Sequence, residues 1–276
     1  MKVRKAIIPV AGLGTRFLPI TKSIAKELLP IIDKPTLQYN IDECIASGIE
    51  EIILITSPLK PEIRSYFETN KELENYLKER GKNQELSKVQ FDYNIHFLSQ
   101  DEPLGNGHAI NIARDLIDNE PVAVLFGDDL VKSDVPALKQ LIDIYEKNDC
   151  NVIGLREVPK SIVNRYGIVE LKNDDIISIV EKPAIEEAPS NKAVIGRYIL
   201  KPEIFTELNL IKKDKYEYQL TDAIKNLLKY QNFKGCLIDG EYLDVGSKEG
   251  YVLANLKYAL DREDLKDKIN EYLKTL

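Results

Sequence analysis

Ala6-Ile7-Ile8-Pro9-Val10-Ala11-Gly12-Leu13-Gly14-Thr15-Arg16, followed after a short gap by Lys26-Glu27-Leu28-Leu29-Pro30-Ile31-Ile32-Asp33-Lys34-Pro35, decides the fold. The apolar run over 6–10 has the length of a buried strand. It opens into a glycine turn, Gly12 to Arg16, whose backbone N–H groups can approach an anion closely. Two familiar phosphate loops are excluded: a dinucleotide fingerprint needs a third glycine where Phe17 stands, and a P-loop needs Gly-Lys-Ser/Thr after a four-residue spacer. What remains is a backbone nest flanked by Arg16 and Lys26, beside the prolines that stiffen Leu18-Pro19 and Leu29-Pro30. Two fixed cations around a nest suit a triphosphate.

Outward from this turn, apolar β-branched runs alternate with segments of helical period. The strand at 6–10 leads to a helix carrying Leu37, Ile41, Cys44 and Ile45 on one face and ending near Ser47-Gly48; 52–55 is the next strand. Strand 95–98 leads to a helix over about 105–116, and strand 122–126 to a helix carrying Leu138, Leu141, Ile142 and Tyr145. This rhythm predicts an α/β fold, a Rossmann-like, mostly parallel sheet flanked by helices on both faces, with ligands outside the carboxyl ends of the strands. After Cys150 the strands become shorter, at 168–171, 176–180 and 194–200, as a small β-subregion for a second substrate would be. A charged stretch over 71–88 is read as a solvated surface helix. From 248 the chain is read as C-terminal helices, with Leu265, Ile269, Tyr272, Leu273 and Leu276 in a stripe that seals the domain or pairs subunits. The expected organisation is one domain over 1–276, with a nucleotide-binding half to about 150 and a sugar-phosphate half over about 151–247.

Forty-five acids against 38 bases in 276 residues give a net charge of −7, which argues against nucleic acid or an anionic membrane as the main partner. Residues 1–34 reverse the balance, with seven bases and two acids, so positive charge gathers around the proposed phosphate loop. The basic start precedes an apolar stretch broken by Pro9 and Gly12, unlike a secretory core, and no run has the length of a membrane helix. A cytoplasmic protein is expected. Cys44, Cys150 and Cys236 are scattered without metal-type spacing and are read as reduced, buried thiols. With only His96 and His108 besides, a zinc site is not expected.

Asp128 and Asp129 follow the strand at 122–126 and Gly127, where the ligand crevice should lie. Vicinal acids there suit a hard cation such as Mg2+, or equally a turn or helix cap. Glu181-Lys182-Pro183 ends another strand, where a carboxylate can accept from two sugar hydroxyls and a lysine can meet a phosphate, although a solvated turn before proline is the commoner occurrence. Asp244 by itself passes for a turn residue.

These blocks resemble the sugar-1-phosphate nucleotidyltransferases, and in detail their uridylyl branch. The resemblance runs through Gly12-Leu13-Gly14-Thr15-Arg16, Lys26-Glu27-Leu28-Leu29-Pro30, Gly105-Asn106-Gly107-His108-Ala109, Gly127-Asp128-Asp129, Tyr166-Gly167 and Val180-Glu181-Lys182-Pro183. It continues through Ala188-Pro189-Ser190-Asn191, Gly196-Arg197-Tyr198, Gln219-Leu220-Thr221-Asp222-Ala223 and Asp244-Val245-Gly246-Ser247-Lys248, in order across most of the chain. It implies Mg2+-dependent uridylyl transfer from UTP to glucose-1-phosphate, giving UDP-glucose and pyrophosphate. The nearest alternatives are another sugar-1-phosphate or dTTP, or a glycosyltransferase using a nucleotide sugar.

By the same resemblance Asp128 and Asp244 are metal ligands. Arg16, Lys26 and Lys182 are the catalytic cations, Lys182 also holding the sugar phosphate. Ala11, Gly12, Gly14, Glu27, Gln100 and Gly105 hold the nucleotide; Asp129, Gly167, Glu181 and Val194 shape the sugar side. The expected partners are these small molecules and further copies of the chain, as a dimer or tetramer. Gln100 offers a donor and an acceptor, as reading a uracil edge requires. His108 is not a general base, because the attacking group is already an anionic phosphate; it packs or bonds locally. Asn106 and Tyr218 depart from the family pattern, which bears on base selectivity and on the fit near the sugar.

Overall fold

Successive side chains of β1 (Lys5–Pro9) face opposite sides of a sheet, and both sides are covered. Ile7 joins one apolar core, and Ala6 and Ile8 join the other. The computed structural model describes residues 1–211 and 217–275. After β1, a small hairpin of β2 (Pro30–Ile31) and β3 (Lys34–Pro35) leads to α1 (Thr36–Ala46) and β4 (Glu51–Thr56). Three helices, α2 (Pro61–Phe67), α3 (Lys71–Glu79) and α4 (Asn83–Ser87), then precede β5 (Ile95–Ser99) and α5 (Asn106–Ile112). The centre of the chain forms β6 (Val122–Leu125), β7 (Asp129–Lys132), α6 (Ala137–Asn148), β8 (Asn151–Glu157), β9 (Gly167–Lys172) and β10 (Asp175–Glu181). The remainder is β11 (Lys192–Leu200), α7 (Glu203–Leu210), α8 (Leu220–Leu227), β12 (Phe233–Leu237), β13 (Glu241–Asp244), α9 (Lys248–Asp261) and α10 (Glu263–Leu273).

Among the described residues nine strands form one sheet in the order β5-β4-β1-β6-β11-β8-β12-β10-β9. The expected βαβ alternation builds the parallel part, β5-β4-β1-β6. From β11 onward the sheet is mixed, because β11 runs antiparallel to both β6 and β8, and β10 antiparallel to β12 and β9. The uninterrupted parallel run therefore belongs to the amino-terminal half, while farther along the sheet β12 pairs in parallel with β8. One face is covered by α5, α7 and α8 through Ile110, Ile204, Leu208 and Ala223, and the other by α1 and α6 through Leu37, Ile41, Leu138 and Leu141. Helices on both faces follow from these periodicities, as expected.

Three sequence expectations change in detail. The charged helix over 71–88 is two helices, because Gly81 between them takes φ 65, a left-handed conformation that suits glycine and ends α3. The helix over 105–116 ends as α5 at Ile112 and continues as a tight turn over Arg114–Leu116. The C-terminal helices expected from 248 are α9 and α10, separated by the extended backbone of Arg262, and it is the role of their apolar stripe that changes. In the stripe on α10, Tyr272 and Leu273 are exposed and Leu265 and Ile269 only half-buried, so it does not seal the domain; Leu276 lies outside the described residues. All three cysteines are free and buried, and no helix among the described residues is long and apolar enough to cross a membrane.

Candidate active site

The acidic residues are brought together by a two-stranded ribbon that leaves the main sheet. β7 pairs antiparallel with β13, setting Asp129 opposite Asp244, and the Val245 N–H donates to the Asp128 carbonyl at 3.0 Å. Asp128 and Asp244, far apart in sequence, thus reach the same end of the sheet. Each has a cation beside it. Lys26 Nζ is 2.6 Å from Asp128 Oδ2, and Arg165 Nη2 is 3.7 Å from Asp244 Oδ2. Burial pushes the Asp128 carboxyl up, but Lys26 outweighs it and holds the group below the usual carboxylate range. Burial would likewise lower Lys26, yet Asp128 and Glu27 raise its ammonium above the ordinary value.

The loop carrying these acids rests on a buried cation. Arg197 is fully buried and makes a two-pronged contact with Glu43, Nε to Oε1 at 2.9 Å and Nη2 to Oε2 at 2.7 Å. It also donates to Asn40 Oδ1 at 2.8 Å and to the Asp129 carbonyl at 2.9 Å, while Asn40 Nδ2 donates to the Gly127 carbonyl at 3.1 Å. Asn40, Glu43 and Arg197 therefore set the backbone on both sides of Asp128.

Asp129 is held too. Its Oδ2 accepts the Gly196 N–H at 2.9 Å and its Oδ1 accepts the Tyr242 hydroxyl; burial and the neighbouring Asp128 push its carboxyl up to about 6. Gly196 lies where the pairing of β11 with β8 shifts register between Val194 and Tyr198. A Cβ there would sit 2.5 Å from Phe126 Cβ and press on the Asp129 carboxylate. Gly196→Ala is expected to cost about 1–3 kcal/mol through this overlap. Urea unfolding measures it, and an unchanged midpoint would contradict the tight fit.

Two cavities meet at this loop. The larger, about 390 Å3, is lined by Ala11, Gly12, Glu27, Gln100 and Gly105 among others. The smaller, about 260 Å3, is lined by Arg16, Asp129, Arg165, Gly167, Val194 and Asp244 among others. Asn106, Phe126, Asp128, Glu181 and Lys182 belong to both walls. Nearly all the expected residues thus line one of two connected chambers. Gly14 lines neither. It takes φ 64 ahead of the turn Thr15–Phe17, and a Cβ there would come within 3.1 Å of Lys26 Cβ, so its part is to let the loop turn tightly against Lys26. Arg16, expected on the triphosphate side, reaches the smaller chamber near the Gly246 carbonyl at 3.4 Å.

Several side chains are already engaged. Glu27 is 2 % exposed and its Oε2 meets Lys60 Nζ at 2.8 Å, while Lys60 also donates to the Val10 carbonyl at 2.8 Å. Burial pushes the Glu27 carboxyl up and the Lys60 ammonium down, each partner countering the other's shift. Glu27 thus braces the glycine loop from behind as well as lining the chamber. Asn106 Oδ1 accepts the Leu220 N–H at 2.8 Å, and the Tyr218 backbone exchanges bonds with Leu104 and Gly107 at 2.7 and 2.9 Å. Both departures from the family pattern therefore stitch 217–220 over the start of α5. Glu181 Oε2 accepts the Thr221 hydroxyl at 2.8 Å, and Lys182 follows with φ 43, a conformation costly for a residue other than glycine and concentrated at functional sites.

Lys60, Arg165, Tyr242 and the Asn40–Glu43–Arg197 group were not anticipated as site residues. Arg165 and Arg197 lie next to or inside blocks already singled out, Tyr166-Gly167 and Gly196-Arg197-Tyr198, and Tyr242 is two residues before Asp244 on one strand face. Lys60 carries no local signal.

Among the described residues no group of three or more His, Cys, Asp and Glu side chains is placed to hold a metal. Two converging carboxylates nonetheless match the habit of Mg2+, which takes one or two carboxylates and completes its shell with waters and phosphate oxygens. The all-oxygen donor pair fits such an ion and would suit zinc poorly.

A nucleotidyl transferase family model matches residues 5–260. The UTP--glucose-1-phosphate uridylyltransferase of Staphylococcus haemolyticus (strain JCSC1435) is 47% identical, over 100% of this chain and 99% of that protein. The protein of that name from Staphylococcus epidermidis (strain ATCC 12228 / FDA PCI 1200) is 45% identical with the same coverage. Among solved structures, a UTP-bound UGPase from Acinetobacter baumannii superposes with a TM-score of 0.90 at 36% identity, over 99% of each chain. A UDP-glucose pyrophosphorylase complexed with UDP-glucose gives a TM-score of 0.84 at 39% identity, over 94% of this chain and 100% of that one.

Proposed function

Because the chain belongs to the nucleotidyl transferase family, we propose that its larger chamber holds UTP, its smaller chamber holds glucose-1-phosphate, and their common wall is where the two react. The enzyme transfers a uridylyl group from UTP to glucose-1-phosphate and yields UDP-glucose and pyrophosphate. The observation that carries the site assignment is the convergence of Asp128 and Asp244, with Lys26, Arg165 and Lys182 around them, where the two cavities join.

A phosphate oxygen of the sugar phosphate attacks the α-phosphorus of UTP; the bond from that phosphorus to the bridging oxygen of the β-phosphate breaks, and pyrophosphate leaves with the electron pair. No proton needs to move, so catalysis is positioning and charge neutralisation. Lys182 aims the attacking phosphate from the common wall. Lys26 from the larger chamber and Arg16 reaching across from the smaller one take up charge on the pyrophosphate as it departs along the common wall, Lys26 exchanging its present anion, Asp128, for a phosphate oxygen. Glu181, oriented by Thr221, and Asp129 accept from sugar hydroxyls. Mg2+, held by Asp128 and Asp244, would supply further neutralisation of phosphate charge when bound.

The same proposal takes the chain as one working unit, with its nucleotide half to about residue 150 and its sugar-phosphate half over about 151–247. It also assigns a homo-oligomer to the exposed Val252, Leu253, Tyr272 and Leu273 of the last two helices. Sedimentation velocity of the full chain tests the latter, a monomer at working concentration overturning it.

The substrate assignment is tested with pyrophosphate release for each nucleoside triphosphate against each common sugar-1-phosphate. UTP with glucose-1-phosphate should be the best pair by kcat/KM, and a better turnover with another pair would replace it. Gln100→Ala should narrow the preference for UTP over CTP more than it slows turnover at saturating UTP, because a polar group left unpaired against the wrong base costs about 1–3 kcal/mol. Competition assays giving an unchanged preference would move base reading to the backbone around Gly12 and Gly105.

A further inference from the structure

Gln100 lies just past β5, anchored by its own N–H to the Thr56 carbonyl at 2.8 Å, and it is 6 % exposed in the wall of the larger chamber. Its amide nitrogen carries two hydrogens, and both have partners. Nε2 is 3.0 Å from the Gly105 carbonyl and 2.9 Å from Nδ1 of His108, in the first turn of α5. The Gly105 carbonyl can only accept, which puts nitrogen rather than oxygen on that side of the amide. An amide nitrogen is only a donor, so His108 Nδ1 is the acceptor and the ring proton sits on Nε2. The remaining polar atom, Gln100 Oε1, accepts no hydrogen bond among the described residues. Sequence alone made Gln100 a donor and acceptor for a base edge; the fold leaves it an acceptor only.

From this geometry we infer that His108 is a positioning residue for base selection: it takes up the second amide hydrogen of Gln100 and so presents Oε1 as a fixed acceptor for the imide N–H of a uracil-type base. Cytosine has a bare ring nitrogen where uracil has that N–H, so it meets the fixed acceptor with a lone pair or must shift to offer its amine. His108 exerts this through Gln100 and touches neither the reacting phosphorus nor the attacking oxygen. The inference rests on the larger chamber being the UTP site.

The experiment measures kcat/KM for UTP and CTP, kcat at saturating UTP, and the protonation of His108 in wild-type protein. His108→Phe, which keeps the ring and removes the acceptor, should lower the UTP-over-CTP ratio about fivefold or more, the effect of one lost polar contact in a buried site. The kcat at saturating UTP should stay within about threefold, since no reacting group is removed. In the Gln100→Ala/His108→Phe double variant the ratio should fall no further than in Gln100→Ala alone, because the two residues act as one unit. His108→Asn, whose side-chain oxygen can accept from Gln100, should restore part of the ratio. An unchanged ratio in His108→Phe, or additive losses in the double variant, would overturn the inference.

The wild-type measurement covers the case in which a variant fails to fold. The chain has two histidines, so 15N spectra resolve His108 readily; they should show Nδ1 unprotonated and Nε2 protonated, and a proton on Nδ1 would overturn the proposal. A wild-type protein that did not prefer UTP at all would instead overturn the assignment of the chamber.

Discussion

Asp244→Asn is expected to lower Mg2+-dependent turnover by about 100-fold or more, a loss of about 2.7 kcal/mol of transition-state stabilisation, while the melting temperature changes little. The reason lies in how the carboxylate is held. Asp244 ends β13 opposite Asp129, its Oδ1 accepts the Gly246 N–H at 3.1 Å, and the half-exposed Arg165 lies 3.7 Å from its Oδ2. An amide of the same shape keeps that backbone bond and leaves no buried charge unpaired. Asp128→Asn should cost turnover to a similar degree and some stability as well, because Lys26 loses its closest anion. With the Asp128 side chain 36 % exposed and Glu27 4.0 Å from Lys26, the loss falls below the about 3–5 kcal/mol of a fully buried pair. Mg2+ titrations of pyrophosphate release, beside thermal melts of both variants, distinguish the two. Near-normal Mg2+-dependent turnover in either variant would remove the metal assignment.

Lys182→Ala should weaken use of glucose-1-phosphate by about 30-fold or more while UTP binding is largely kept, and Arg16→Ala should impair the triphosphate side, each being the loss of a charge-assisted contact worth about 2 kcal/mol. Calorimetry with UTP alone, followed by initial rates against glucose-1-phosphate, separates binding from turnover. The geometry makes the comparison demanding, since Lys182 lies in the wall common to both chambers and Arg16 in the smaller one. A Lys182 variant that loses UTP affinity as badly as Arg16→Ala would show that the two cations serve one phosphate cluster rather than two subsites.

Much of the architecture could be read along the chain because the information is local. Ile7 and Ile8, or Ile53 and Leu54, turn to opposite apolar cores simply because side chains alternate along a strand, and Leu37, Ile41, Leu138 and Leu141 fall on covered helix faces through the 3.6-residue period. Gly14 had to be a glycine for its left-handed turn. The charged segment over 71–88 divides at Gly81, whose left-handed conformation is a local signal in the sequence, whereas the point at which α9 gives way to α10, Arg262, has no comparable residue to announce it.

The site divides along the same line. Residue type and neighbourhood marked Arg16, Lys26, Asp128, Glu181 and Lys182 as candidates, since a glycine turn, vicinal acids at a strand end and a Glu-Lys pair each carry a chemical pattern within a few residues. A turn or cap at Asp128 and a solvated turn at Glu181-Lys182 read equally well or better, however, and it was the family resemblance that favoured ligand roles there. Which of them would meet, and what each would be holding, depended on elements remote in sequence: the β7–β13 ribbon that brings Asp244 beside Asp129, the buried Arg197 that supports the Asp128 loop, Lys60 that engages Glu27, and His108 that occupies the amide of Gln100. Hydrogen-bond partners are chosen by distances of about 3 Å, and only the packing of the whole sheet sets those distances, whereas the pattern of side chains along a strand or helix is written by backbone geometry alone.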